Sequence, residues 1–187
     1  MNKVQTDNSF VADKTMLRVR HLSKKKDITV LEAFGGDGTI WDNVRNIVKE
    51  KNIRTVRIDV KKNKRGTYLI GDNEKFLQRM NLQDYDIIDL DAYGVPIRQI
   101  EALYANKTYT GQTVFLTFIQ SYMSALPFKM LYKLGFSKNM LEKIPTLFAR
   151  NGIKRFNEYL SLQGIKKIYI KTHARKNYIC IEKGDKQ

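Results

Sequence analysis

The feature that most constrains the fold is the spacing of apolar residues, which alternates along the chain between strand-like runs and helix-like stripes. Strands that alternate with helices form a parallel sheet covered by helices on both faces, so the pattern predicts a doubly wound α/β fold. Seven strands are predicted, at residues 28–34, 53–60, 68–70, 85–90, 113–119, 165–171 and 177–182.

The last two predicted strands are separated by a basic turn that is too short to hold a crossover helix, so they are expected to pair antiparallel. The expected fold class is therefore α/β: a doubly wound, Rossmann-like, mostly parallel seven-stranded sheet that ends in an antiparallel hairpin. Thr39 is expected to cap the first predicted helix, with Asp42 completing a capping box. Helices are predicted at 39–51, 72–80, 97–105 and, with an interruption near Pro145, 138–162.

The length of 187 residues fits one domain, which we predict over 1–187, with a basic N-terminal extension at 1–27 and an insertion or lid at 121–152. A single cysteine, Cys180, excludes an internal disulfide and a cysteine zinc cluster. The N-terminal residues lack an apolar signal core, and no apolar run reaches membrane-spanning length. We therefore expect a cytoplasmic location and no membrane partner.

The formal net charge is +15, which favours a polyanionic partner and nucleic acid first among such partners. A lysine-rich composition can also reflect an AT-rich genome, and any one basic run can be a solvated face. Clustering of the charge favours an electrostatic role. The clusters are Arg18, Arg20, Lys24, Lys25 and Lys26; Lys61, Lys62, Lys64 and Arg65; and Lys166, Lys167, Lys171, Arg175 and Lys176.

A glycine-rich loop, Glu32-Ala33-Phe34-Gly35-Gly36-Asp37-Gly38, follows the first predicted strand. Open α/β sheets bind ligands at the carboxyl ends of their strands, and glycines there let the backbone approach a ligand at the start of a helix. A dinucleotide fingerprint requires a third glycine where this chain has Trp41, and a P-loop requires a Gly-Lys-Ser/Thr that does not follow.

The pattern Glu-x-Phe-x-Gly-x-Gly in this loop resembles motif I of class I S-adenosylmethionine-dependent methyltransferases, and is closest to the branches that modify nucleic acids. Asp59 ends the second predicted strand, where this family places an acid on the ribose hydroxyls. Gly71-Asp72-Asn73 ends the third, where the family places an acid or amide near the adenine amine. The resemblance implies S-adenosylmethionine as cofactor, bound by Glu32, Phe34, Gly35, Gly36, Gly38, Asp59, Val60, Asp72, Asn73 and Asp91. Taken singly, Asp59 could be a polar strand end and Asp72 a helix cap.

The fourth predicted strand runs into Asp91-Ala92-Tyr93-Gly94-Val95-Pro96, which resembles motif IV of amino-methyltransferases. It is nearest to the Asp-Pro-Phe-Gly-x-Pro form of tRNA guanine-N2 methyltransferases of the Trm-one type, from which Ala92 departs. In physical terms, Asp91 could accept a hydrogen bond from an exocyclic amine and stabilise the positive charge that develops on it. Tyr93 could stack on an extruded base.

Asp89 shares a strand face with Asp91 and is the second catalytic candidate. The alternatives are structural: Asp91 could cap the helix from Ile97, Tyr93 could be packing, and Asp89 could be the partner of a basic residue. Cys180 lies in the last strand, so a cytosine-C5 mechanism is rejected. The only histidines, His21 and His173, are far apart in sequence, so no metal is expected.

The leading hypothesis is a methyltransferase acting on nucleic acid, RNA rather than DNA, at an exocyclic amine of a base. We expect either a homodimer or a partner protein to assist in substrate recognition. A non-catalytic cofactor- or RNA-binding module on the same fold, and a methyltransferase for a small molecule or a protein, remain open as alternatives.

Overall fold

The computed structural model describes residues 10–61, 67–120, 126–148, 150–165, 167–174 and 176–182. Within these residues, seven strands form one sheet and helices pack on both of its faces. The strands are β1 (Asp27–Glu32), β2 (Asn52–Asp59), β3 (Thr67–Ile70), β4 (Ile87–Leu90), β5 (Thr113–Ile119), β6 (Lys167–His173) and β7 (Lys176–Glu182). The helices are α1 (Val11–Arg20), α2 (Thr39–Ile47), α3 (Asn73–Arg79), α4 (Ile97–Ala105), α5 (Phe128–Lys133), α6 (Lys138–Lys143) and α7 (Gly152–Leu162).

The strands lie in the order β3-β2-β1-β4-β5-β7-β6, and β7 runs opposite to the other six described strands. The predicted fold class, including the terminal antiparallel hairpin, is therefore confirmed. The strand order reverses between β1 and β4, which are paired with Glu32 opposite Asp89. Strands β1, β2 and β4 end on the same side of the sheet, and we call this side the carboxyl edge. Sheets of this kind bind ligands there.

Two apolar cores lie on opposite faces of the sheet. Beneath α1 and α2, the core includes Leu17, Trp41 and Phe115. Beneath α3, α4, α5 and α7, it includes Leu103 and Phe156. These opposed cores follow from the buried β-branched strands, because a sheet that is apolar on both faces must be covered on both faces.

Several predicted boundaries differ from the observed ones. Helix α2 ends at Ile47 rather than at residue 51, and its N-cap is Gly38 in the left-handed region, so the capping box of Thr39 and Asp42 is wrong. The Asp42 carboxylate instead accepts a bond from Arg45 at 2.6 Å. In the predicted insertion, α6 ends before Pro145 and α7 begins after it, as expected from the interrupted pattern.

The segment predicted to be a basic extension contains helix α1, which the sequence pattern missed. Helix α1 packs on α2 and β7, and it buries the charged side chains of Lys14 and Arg18 together with Leu17. A helix whose buried face carries two cations does not show the apolar stripe by which amphipathic helices are recognised. Several residues of the predicted extension, basic clusters and insertion lie outside the described residues: 1–9, Lys62, Lys64, Arg65, 121–125, Ala149, Lys166 and Arg175.

Among the described residues, no helix combines the length and the apolarity that a bilayer-spanning segment requires.

Candidate cofactor and acceptor site

The glycine loop leaves β1 at the carboxyl edge and enters α2. Gly36 and Gly38 have φ values of 44° and 76°, a region that L side chains rarely adopt. A Cβ atom on Gly38 would also lie 1.9 Å from Nη2 of Arg57, so the loop passes directly over that guanidinium. The Gly35 N–H donates to the Ile58 carbonyl at 3.0 Å, which ties the loop to the end of β2.

Asp37 stands at the outer turn of this loop and accepts a bond from the Thr39 N–H at 3.1 Å. That backbone donor lowers the pKa of Asp37 below its ordinary value. Phe34 is partly buried against the core under α3 and α4. The loop is thus held in place by its own backbone, by Arg57 beneath it and by Phe34, and it presents the start of α2 at the carboxyl edge.

Glu32 ends β1 and is buried with its carboxylate 3.0 Å from Nε of Arg57. Burial raises the pKa of Glu32 to about 8; the nearby charge of Asp89 adds to this, while Arg57 and Arg18 oppose it. The structure therefore places Glu32 beneath the loop, where it holds Arg57 in position. Sequence reasoning missed Arg57, although a charged residue inside an apolar strand was a signal for a buried hydrogen-bonding partner.

The ends of β2 and β3 carry Asp59 and Asp72. Asp59 is half-buried, and its Oδ1 accepts a bond from the Lys61 N–H at 3.0 Å. Asp72 is exposed and caps α3 by accepting from the Glu74 N–H at 2.9 Å, which is the structural role left open for it above. Two apolar side chains project to solvent beside these acids: Val60 is 71% exposed and Ile70 is 57% exposed. The ends of β2 and β3 thus each carry an acid and an exposed apolar group.

Asn73 links three elements through its side-chain amide. Its Nδ2 donates to the Ala33 carbonyl at 2.8 Å, and its Oδ1 accepts from Nε2 of Gln99 at 3.0 Å. The amide thus connects α3 with the end of β1 and with α4. Gln99 was not predicted from the sequence, and nothing in its local pattern distinguishes it.

Asp91 is the first residue after β4, and its carboxylate is bound by two residues from distant parts of the chain. Lys14 Nζ lies 2.9 Å from both Oδ1 and Oδ2, and the Thr117 hydroxyl donates to Oδ1. The Asp91 side chain is 11% exposed. Since a carboxylate can accept about four hydrogen bonds, Oδ2 can accept a further one. Arg18 Nη2 approaches that oxygen to 4.0 Å.

Asp89 is buried inside β4 and bound on all sides. Arg18 donates to both of its oxygens at 2.7 Å, and Trp41 donates its indole N–H to Oδ2 at 2.7 Å. Burial disfavours the charged guanidinium, but the charge and hydrogen bonds of Asp89 outweigh burial and raise the pKa of Arg18. The prediction of Asp89 as a second catalytic residue is therefore corrected: at 1% exposure it is the structural partner of a basic residue.

The loop after Asp91 is folded without the proline of the family pattern. Ala92 is buried and donates its N–H to the Leu90 carbonyl at 2.7 Å, and the Gly94 carbonyl accepts from the Ile119 N–H at 2.8 Å. Tyr93 projects from this loop with 68% of its surface exposed, so it is not packing. The N-cap of α4 is Pro96 and no side chain caps that helix, so the structural alternative of Asp91 as its cap is wrong.

Three side chains at the opposite edge of the sheet have the composition of a metal site. Ligand atoms of His21, Cys180 and Glu182 lie within 4.8 Å of one another. His21 Nδ1 and Glu182 are already hydrogen-bonded at 2.6 Å, and Lys167 pairs with the same carboxylate at 2.6 Å. Burial raises the pKa of the Cys180 thiol to about 12, which disfavours the thiolate that a metal requires. This cluster is better described as an ion-paired network.

Neither a known family model nor a curated protein matches the chain in sequence. Solved structures with the same fold share little sequence with it. A Bordetella parapertussis protein described as a possible exported protein superposes with a TM-score of 0.60 at 13% identity, over 92% of this chain and 66% of its own. A Listeria monocytogenes protein assigned as a class I S-adenosylmethionine-dependent methyltransferase gives 0.57 at 15% identity, over 99% of this chain and 63% of its own.

A third protein, from Methanococcus maripaludis and assigned as an S-adenosylmethionine-dependent methyltransferase, has nearly the same length. It superposes with a TM-score of 0.53 at 13% identity, over 100% of this chain and 98% of its own. The chain thus spans about two thirds of the Bordetella and Listeria structures and almost all of the Methanococcus one. Together with the strand order, these likenesses show that the chain has the class I methyltransferase fold.

Proposed function

We propose that the chain binds S-adenosylmethionine at the carboxyl edge and is a class I methyltransferase. The observation that carries this proposal is the glycine loop, in which Gly36 and Gly38 adopt left-handed conformations between β1 and α2. The loop lies at the point where the strand order reverses, and it is there that sheets of this kind bind nucleotide-like ligands.

The residues around the loop fit the parts of this cofactor. Asp59 can accept hydrogen bonds from ribose hydroxyls, because a carboxylate accepts several hydrogen bonds at once. Val60 and Ile70 offer exposed apolar surface for the faces of an adenine ring. The first turn of α2 favours a carboxylate such as that of the methionine part. When bound, the cofactor supplies an electrophilic methyl group on a sulfonium.

We further propose RNA as the substrate, with methylation at an exocyclic amine of a base. Asp91 is the acid next to the glycine loop, and the remaining acceptor capacity on its Oδ2 can take an amine hydrogen and orient the nitrogen lone pair. Tyr93 beside it is an exposed aromatic on which a base can stack. The net charge of +15 supports a polyanionic substrate, whose binding weakens steeply as salt rises.

One observation favours a second candidate, a cofactor-binding module without catalysis. The oxygens of Asp91 are already bonded to Lys14 and Thr117, so that a substrate amine has to share the carboxylate with them. The proline that fixes this loop in the family pattern is also replaced by Ala92. In this case the chain binds the cofactor and modifies no nucleic acid.

Calorimetry with S-adenosylhomocysteine tests the cofactor proposal. Gly36→Ala is expected to lose binding, because an L residue is strained at φ 44° and the loop has to change its path. Gly164→Ala is the matched control: it lies at φ 79° with nothing within 4 Å, but it follows α7 rather than β1. Equal affinity in the wild type and Gly36→Ala, or no binding by the wild type, would contradict the proposal.

Transfer of a radiolabelled methyl group to bulk tRNA, rRNA and DNA tests the substrate. We expect wild type to label RNA more strongly than DNA and Asp91→Asn to lose the label. Asp86→Asn is the control, because Asp86 also pairs with a lysine but precedes β4 at the opposite edge. Cofactor binding without label in any nucleic acid would favour the non-catalytic module or an enzyme for another substrate.

A further inference from the structure

Helix α1 places the amine of Lys14 next to Asp91, the acid that we expect to bind the substrate amine. We propose that the Nζ of Lys14 is itself a methyl acceptor, so that the chain methylates its own first helix. This inference rests on the proposed methyltransferase function of the same site, and it adds a modification site within the chain.

The geometry of the Lys14–Asp91 pair carries the proposal. Nζ lies 2.9 Å from both carboxylate oxygens, and the Lys14 side chain is only 6% exposed. Asp91 therefore binds a primary amine already, in the position in which the proposed function requires it to bind a substrate amine. An amine that is part of the chain needs no encounter with a second molecule, which gives it a high effective concentration.

Further contacts hold α1 in a fixed position relative to this acid. One turn after Lys14, Arg18 is clamped to Asp89 by two bonds of 2.7 Å. At the end of the helix, His21 is bonded to Glu182 at 2.6 Å. The helix that carries the Lys14 amine is thus held by contacts in the buried interior and on the side of the sheet opposite the carboxyl edge.

The pair also lies beside the loop that is proposed to hold the methyl donor. Glu32 is paired with Asp89 in the register of β1 and β4, and the Ala33 N–H donates to the Asp89 carbonyl at 2.9 Å. Asp91 is two residues beyond that carbonyl. The start of the glycine loop and the acid that holds Lys14 are therefore adjacent at the carboxyl edge.

The transfer step balances in atoms and charge. Lys14 first gives one ammonium proton to Asp91, from which it passes to water. The Nζ lone pair then forms the new N–C bond while the C–S bond breaks and its electron pair stays on sulfur, which leaves S-adenosylhomocysteine. The methylated nitrogen carries the positive charge that the sulfonium loses, and one proton is released in total.

The surroundings of Nζ suit the product as well as the free amine. The ring of Tyr178 lies 5.3 Å from Nζ, and aromatic faces attract methylated ammonium groups. Methylation keeps the charge that pairs with Asp91, but each methyl group removes one of the three N–H donors. Progressive methylation therefore weakens the hydrogen bonds that occupy Asp91 and leaves its oxygens more available to another donor.

Lys25 provides an internal comparison. It also pairs with an aspartate, Asp86, at 2.7 Å, but it is exposed and lies before β1, on the side of the sheet opposite the glycine loop. If ion pairing alone led to methylation, both lysines would be modified. If proximity to the proposed donor site is required, only Lys14 is modified.

The test is peptide mapping by mass spectrometry of the full chain before and after incubation with S-adenosylmethionine. We expect the Lys14 peptide to gain the mass of one or more methyl groups and the Lys25 peptide to gain none. Lys14→Arg, which keeps a cation on Asp91, and Gly36→Ala should both lose the modification. An unmodified Lys14 in a chain that binds S-adenosylhomocysteine overturns this inference alone, whereas a chain without such binding overturns the proposed function as well.

A binding measurement that needs no turnover gives a second readout. Lys14→Met removes a positive charge and leaves Asp91 to attract a cation. If Nζ lies beside the donor methyl, Lys14→Met should raise the ratio of two affinities severalfold over the wild type. These are the affinity for S-adenosylmethionine, whose sulfur is charged, and the affinity for S-adenosylhomocysteine, whose sulfur is not. Lys25→Met should leave that affinity ratio unchanged. An unchanged ratio in Lys14→Met would place the amine away from the methyl and contradict the inference.

Discussion

The indole N–H of Trp41 lies 2.7 Å from Oδ2 of Asp89, so a single bond joins the first turn of α2 to the end of β4. Trp41 stands where a dinucleotide-binding loop needs its third glycine, and it is fully buried. The residue that excludes the dinucleotide motif is therefore also the one that joins the glycine-loop helix to the strand leading to Asp91.

Trp41→Phe tests the energy of this link. The phenyl ring keeps most of the apolar volume but removes the donor, so a buried carboxylate loses one of its bonds. We expect the free energy of unfolding to fall by about 1–3 kcal/mol, measured by urea denaturation. A loss no larger than that of a surface substitution such as Lys49→Ala would show that the bond is unimportant.

Arg18→Met tests the buried ion pair. Removing one partner leaves the Asp89 charge buried with only the indole as a donor, so we expect a loss of about 3–5 kcal/mol in the free energy of unfolding. Adding Asp89→Asn to this variant should recover part of the loss, because the amide oxygen still accepts from Trp41 without carrying a charge. If the losses of Arg18→Met and of Asp89→Asn, each measured alone, simply add in the double variant, a direct pairing is contradicted.

Glu32 predicts a pH dependence of stability. Its pKa is raised to about 8 in the folded chain, against 4.5 for the ordinary carboxyl, so the folded state holds a proton that the unfolded state has lost between these values. Stability should therefore fall as the pH rises from about 4.5 to about 8, with a slope for one proton of up to about 1.4 kcal/mol per pH unit. Glu32→Gln should be less sensitive to pH in this range, and an identical slope in both proteins would contradict the assignment.

Tyr93→Ala tests the exposed aromatic side chain in the loop between β4 and α4, residues 91–96, which we call the acceptor loop. If the ring stacks on a base, its loss should weaken binding of single-stranded RNA by about 1–3 kcal/mol, measured by fluorescence anisotropy at fixed salt. Tyr132→Ala is the matched control, since Tyr132 is an exposed tyrosine on α5, 41% accessible, outside the acceptor loop. Equal weakening in both variants would argue against a specific stacking role for Tyr93.

The parts of the fold that were predicted correctly have local causes. Helix α4 and strand β5 have the predicted limits because a proline precedes the first and a β-branched run defines the second. The glycine loop was also predictable, since a left-handed backbone at Gly36 and Gly38 requires glycine at those positions. Each of these features depends on residues that are close together in the sequence.

The parts that were missed depend on distant partners. Asp89 and Asp91 are bound by Arg18 and Lys14, which are 71 and 77 residues away in the chain. Arg18 belongs to a basic run that is typical of a solvated segment, and Lys14 lies before that run. The burial of both side chains follows only from the packing of α1. Local spacing could identify the acids at the end of β4, but it contained no information about the cations that neutralise them.

The position of β7 between β5 and β6 has a consequence for the order in which the chain folds during its synthesis. Among the described strands, β6 pairs only with β7, and α1 also rests on β7. Strand β6 therefore cannot pair until residues 176–182, which are translated after it, have emerged. Until those residues emerge, β6 lacks its strand partner, and α1 can make its contacts with α2 but not those with β7. A nascent chain stalled before Lys176 should therefore leave the edge of β6 unpaired and accessible to chaperones.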